Sequence, residues 1–179
     1  MTGFSVTGHD NGSHAFFGRN DLTRCDTCGE LLDKWRESLV GLRIKKRKLD
    51  ISSTYDGVDV VSKRFIEVCQ NADLRGLSFT ALPDDPEFFQ LTASACVEMD
   101  LEKSTIRFID RCTTCGRWES VVGPLIVLKE GATIPERAFV RSDIEFASGD
   151  EKSPLILCDH ETGTILREAK LKGLCLEPF

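Results

Sequence analysis

The sequence predicts an α+β fold, mainly antiparallel sheet with a few packed helices and a two-knuckle, four-cysteine zinc site. Three observations carry that prediction. Strand-like runs outnumber helical patterns, two CxxC pairs share one form, and the composition is that of a globular chain. Apolar residues make up 41% of the 179 residues and charged residues 29%, with only 6 prolines and 14 glycines, a balance far from that of disordered chains. The length suits a single domain, residues 1–179, whose folding buries about 70% of the surface exposed by the unfolded chain.

Taken in order, residues 1–21 are rich in Gly, Ser, Asn and His and read as turns or short strands leading into the first cysteine pair. From Glu30 to Leu42, Leu31, Leu32, Trp35, Leu39 and Leu42 fall near helical spacing, and a basic run follows from Arg43 to Lys48. Asp56, with its capping oxygen, predicts a helix through Asn71 that buries Val58, Val61, Phe65, Val68 and Cys69. LSFTAL at Leu77–Leu82 alternates as a strand does, and the following PDDPE reads as a turn. Three more strand-like runs, FFQLTASACVEM, TIRFID and SVVGPLIVL, occupy Phe88–Leu128 and place the second cysteine pair on a hairpin tip. Near the end, PLILC reads as a buried strand, DHETG as a turn, Thr162–Leu171 as a helix and LCLEP as a closing strand.

Of eight cysteines, four form the pairs Cys25-Asp-Thr-Cys28-Gly29 and Cys112-Thr-Thr-Cys115-Gly116. The two-residue spacer lets both sulfurs of a pair face one point, and the glycine takes positive φ where the backbone turns beneath a metal. Two such knuckles supply the four thiolates of a closed structural Zn2+ site, with Cys25, Cys28, Cys112 and Cys115 as ligands. The pairs are separated by 83 residues, Gly29 to Arg111, so one shared ion clips residues 25–29 to residues 112–116. With every position filled by sulfur no water can be activated, which argues against zinc hydrolysis. Neither pair sits at the strand-to-helix start of a thioredoxin-like unit, which argues against redox catalysis. The remaining Cys69, Cys96, Cys158 and Cys175 lie in apolar segments and read as core residues.

Other signals read as structural. His9, His14 and His160 lack any motif that would make them catalytic, and no enzyme activity is expected. Trp35 and Trp118, close after the two knuckles, are expected to pack against the thiolates and shield them from water. The acidic groups Asp84, Asp85 and Glu87, and Asp143, Glu145, Asp150 and Glu151, could meet a basic partner or simply be solvated turns. A net charge of −6 and pI near 5.2 argue against a general affinity for nucleic acid, although RIKKRK keeps a nucleic-acid-associated zinc module as the alternative. No export signal and no apolar stretch approaching the ~20 residues of a membrane span is present, so a cytoplasmic protein without membrane contact is expected.

The paired CDTCG and CTTCG knuckles, with RSDIEF at Arg141–Phe146, KSPLILC at Lys152–Cys158 and KLKGLCLEP near the end, resemble the double-CXXCG motif proteins. That is a paralogous group best known from myxobacteria, some of whose members are immunity proteins in swarm-inhibition and other polymorphic toxin systems. The resemblance spans most of the chain and implies a cytoplasmic protein that binds and neutralises one cognate protein toxin. It implies the four knuckle cysteines as zinc ligands, no catalytic residues, and no particular toxin-binding residue.

Overall fold

The computed structural model describes residues 3–123 and 125–179. In chain order its regular elements are β1 (Gly3–Asp10), β2 (Ile51–Ser53), β3 (Asp59–Ser62), α1 (Lys63–Asn71), β4 (Leu77–Leu82), β5 (Asp85–Ala93), β6 (Cys96–Val97), β7 (Arg107–Arg111), β8 (Trp118–Val122), β9 (Phe139–Ser148), β10 (Ser153–Asp159), α2 (His160–Glu168) and β11 (Leu174–Pro178). The fold is α+β and mainly antiparallel, as the strand-rich pattern predicts.

The strands run β4-β5-β3-β2-β1-β10-β9-β8-β7, with β11 on β1 and β6 on β9. Among the described strands, only β1 with β2 and β6 with β9 pair in parallel. The path returns on itself. β5 pairs with β3, the Arg141 N–H reaches the Ala95 carbonyl at 2.8 Å, and β6 then sets Cys96 opposite Arg141. One continuous stretch of chain therefore links the β3 side of the sheet to β9 and rolls the sheet towards a barrel.

Burial follows from that roll. One apolar cluster joins Phe4, Val6, Ile51, Val61, Leu91, Phe139 and Ile156 from the strands to Phe65 and Cys69 of α1 and Leu166 of α2. A second joins Ala15, Phe16, Leu31, Leu39, Leu42 and Ile44 to Val58, Val60, Leu82 and Phe88. Adjacent Val60 and Val61, whose side chains point to opposite faces, thus belong to different clusters, and both are fully buried. The irregular segment from residue 15 to residue 44 acts as a covering layer.

Several expectations are corrected. Residues 1–21 contain an eight-residue strand near the middle of the sheet. Glu30–Leu42 forms only a 3-10 turn at Lys34–Arg36, because its start is drawn out as a strand-like return of the knuckle: Leu31 forms an antiparallel bridge with Arg24, and Leu32 N–H donates to the Thr23 carbonyl at 3.0 Å. Helix α1 starts at Lys63, capped by Ser62, while Asp56 instead accepts from the N–H groups of Ala15 and Phe16. DHETG is not a turn; Asp159 caps α2 and His160 opens it. Strand β9, ten residues long, has no clear signature in the sequence, since a bulge opposite β10 breaks its alternation. Ser142, fully buried, fills that bulge by donating to the Ile144 carbonyl and accepting from Leu155 N–H. Among the described residues of SVVGPLIVL, only Ser120–Val122 belongs to a strand.

Phe65 joins α1 to the rolled sheet and is fully buried. Phe65→Ala is expected to destabilise by about 3–5 kcal/mol, read as a lower urea midpoint at unchanged slope.

Candidate metal centre

The two knuckles fold alike. In the first, Cys25 N–H donates to the Glu30 carbonyl at 2.9 Å and Gly29 N–H to the Cys25 carbonyl at 2.8 Å. In the second, Cys112 N–H donates to the Arg117 carbonyl at 2.8 Å and Gly116 N–H to the Cys112 carbonyl at 2.9 Å. The glycines have φ of +77° and +74°, a conformation that costs other residues a steric penalty. An arginine before each knuckle holds the glycine carbonyl, Arg24 at 2.8 Å and Arg111 at 3.1 Å. The repeat is therefore RCxTCG, longer than CxxCG, and the arginine and threonine are site residues that the shorter motif overlooks.

The second knuckle caps the β7–β8 hairpin, as expected. Apposed across the first, it brings like to like: Cys25 Sγ lies 3.8 Å from Cys112 Sγ, Cys28 Sγ 3.6 Å from Cys115 Sγ, and Thr27 Oγ1 2.7 Å from Thr114 Oγ1. All four sulfurs lie within 4.8 Å of one another. A tetrahedron with metal–sulfur bonds of about 2.3 Å has edges of about 3.8 Å, so the separations fit a single ion. Four sulfurs in this arrangement could hold a metal ion, which would join the knuckles and leave no coordination position for water.

Local electrostatics prepare these ligands unequally. Two backbone N–H groups, of Cys115 and Thr114, hold the Cys112 thiol down to about 6, and those of Cys28 and Thr27 lower Cys25 in the same way. For Cys28 the Glu30 N–H acts downward, but burial and the protons shared with Cys25, Cys115 and Cys112 push it up to about 12. The first cysteine of each knuckle is thus the ready thiolate, and a cation completes deprotonation of the set.

A polar brace lies behind the sulfurs. Lys152 forms an ion pair with Glu30, both side chains 8% exposed, and also donates to the carbonyls of Trp118 and Glu119. Lys34 donates to the carbonyls of Asp150 and Lys152, each at 2.7 Å. Burial draws Lys34 down to about 8 against the pull of Glu145, Asp56, Asp150 and Asp59. Asp150 in turn pairs with Arg24 at 2.8 Å, and Arg117 donates to the Leu32 carbonyl. Residues 149–152 therefore fasten both knuckles at once. In the sequence Asp150 reads as part of an acidic cluster and Glu30, Lys34 and Lys152 carry no signal, because their partners lie more than 100 residues away.

Other predicted features sit elsewhere. Trp35 does not pack on the sulfurs but lines a separate cleft with Glu145; Trp118 packs against Phe108 and Arg111 beside the second knuckle. Cys69 and Cys158 are core residues, whereas Cys96 is exposed and Cys175 half-buried. Lys46 pairs with Asp10, and Arg47 with Asp85 and Glu87, so part of the basic run is neutralised within the chain. His9 and His14 are exposed. Among the described residues no helix is long and apolar enough to cross a membrane. No family model matches the chain, and no curated protein does.

Elemental analysis is expected to find about one metal per chain, with chelation lowering Tm by on the order of 10 °C; a metal-free protein of undiminished Tm would contradict the site. Lys152→Met is expected to cost about 3–5 kcal/mol by stranding Glu30, and adding Glu30→Leu to recover part of it, as a double-mutant cycle in denaturant would read.

Proposed function

We propose that this is an immunity protein, a zinc-clipped binding protein that neutralises one cognate bacterial protein toxin in the cytoplasm. The observation that carries the reading is the pair of equivalent CxxCG knuckles, 87 residues apart in sequence and apposed sulfur to sulfur. Their motif is the specific part of the resemblance to the double-CXXCG proteins. Zinc is the ion best suited to four thiolates in a closed tetrahedron that holds shape and does no chemistry.

Net charge supports the same reading. A chain of −6 is drawn towards a basic partner, which raises the rate of encounter and favours capture of a cationic enzyme. The nucleic-acid alternative is weakened, because carboxylates of the same chain engage Lys46 and Arg47, two of the five basic residues of the run. Inhibition requires no catalytic group of the inhibitor's own.

Co-expression with the product of the neighbouring upstream gene in a tester bacterium is expected to restore survival, and a Cys112→Ala, Cys115→Ala double variant to lose that protection. A harmless neighbour, or toxicity undiminished by the native protein, would overturn the immunity reading.

A further inference from the structure

The rolled sheet leaves a cleft of about 480 Å³ away from the sulfurs, between β3 and β5 on one side and β9 and β10 on the other, with Trp35 at its rim. Three charged side chains line it: Asp59 from β3, and Arg141 and Glu145 from β9. Among the described residues none of the three forms an ion pair. Asp59 accepts from the Ser53 hydroxyl at 2.5 Å, Glu145 from the Trp35 indole N–H, and the Arg141 guanidinium donates, among the described residues, only to the adjacent Ser142 carbonyl at 3.3 Å. By contrast, the nearby carboxylates Asp56 and Asp150 are engaged, Asp56 by two backbone N–H groups and Asp150 by Arg24.

The charges are segregated. By strand register Arg141 stands beside Ile156 and Glu145 beside Pro154, on the two sides of the β9 bulge, so their places are two residues, roughly 7 Å, apart along β10. Trp35 is set at the carboxylate end, hydrogen-bonded to Glu145 at its edge and stacked under Lys34 Nζ, 4.5 Å from the ring. Lys34 directs its protons to the Asp150 and Lys152 carbonyls, leaving the cleft carboxylates without a cation in contact. An indole beside two such carboxylates is a setting for guanidinium or ammonium, and an unpaired arginine at the far end suits a carboxylate or phosphate.

We infer that this cleft is a binding site for a small dipolar molecule carrying a guanidinium or ammonium group at one end and a carboxylate or phosphate at the other. The cation lies against Trp35, Asp59 and Glu145, and the anion against Arg141. The site is separate from the metal centre and does not rest on the immunity reading. Burial raises Asp59 to about 6, with Lys34 opposing, and the charged groups facing it are Lys34, Glu145 and Arg141. Because the cation binds the ionised carboxylate, affinity falls as pH drops through about 6.

The test uses the metal-loaded full chain and three probes that differ at one end: L-arginine, agmatine without the carboxylate, and L-citrulline, whose neutral urea replaces the guanidinium. Binding is followed by Trp35 emission in a Trp118→Phe background and checked by calorimetry. Arginine is expected to bind saturably, agmatine about tenfold more weakly, and citrulline not measurably. Glu145→Gln and Asp59→Asn are each expected to weaken arginine about tenfold, while Arg141→Gln weakens arginine about tenfold and does not weaken agmatine, whose terminal ammonium gains nothing from a cation at position 141. Circular dichroism and metal content verify that each variant is folded. Equal binding of citrulline and arginine, no saturable response to arginine, or an Arg141→Gln effect of the same size on agmatine would overturn the proposal.

Discussion

Four cysteine sulfurs meet at one point, and much of the chain is arranged so that they can. The knuckles lie 87 residues apart in sequence, one in an irregular segment and the other on a hairpin tip. A cross-link closing a loop of that length restrains the unfolded chain by roughly 4–5 kcal/mol on the chain-entropy account. The restraint is useful because the segment from residue 15 to residue 44 has little regular hydrogen bonding of its own. Its apolar side chains cover one face of β3, and the knuckle at its centre fixes where that cover sits.

The metal centre does not act alone. Glu30, Lys34, Asp150 and Lys152 form a buried network in which each charge is answered by a carbonyl or an opposite charge. Buried ion pairs of this kind add little net stability, since desolvation offsets attraction, but an incomplete one is costly. Their effect is on geometry. Lys152 reaches Glu30 after the first knuckle and the Trp118 and Glu119 carbonyls after the second, so the two loops are held in register from behind while the sulfurs hold them in front.

The α+β class, β4, β10, β11 and the four sulfurs are legible in the sequence because each is a local signal: alternation, an apolar run or a fixed spacing. What stays hidden depends on distant partners. Leu31, Leu39 and Leu42 do face the core, yet the helix their spacing suggests yields to a knuckle that holds Leu31 extended against Arg24. Strand β9 is obscured by its bulge, and β1 by a glycine-rich composition that fits close strand packing as readily as turns. Cys96 reads as core from an apolar neighbourhood, but β6 is only two residues long and leaves it exposed. The charged lining of the cleft leaves no trace, because Asp59, Arg141 and Glu145 become neighbours only when the sheet rolls.

The distance between the knuckles also sets an order of events during synthesis. Translation at about 5–20 residues per second separates the emergence of Cys25 from that of Cys112 by roughly 4 to 17 s. For that interval the nascent chain carries only the first pair of cysteines. An ion captured then has two vacant positions to fill, and the β7–β8 hairpin delivers both sulfurs together when it forms. Strands β9 and β10, with the Lys152 brace between them and the knuckles, emerge later still, so both cysteine pairs are synthesised before the buried charges that fasten them from behind.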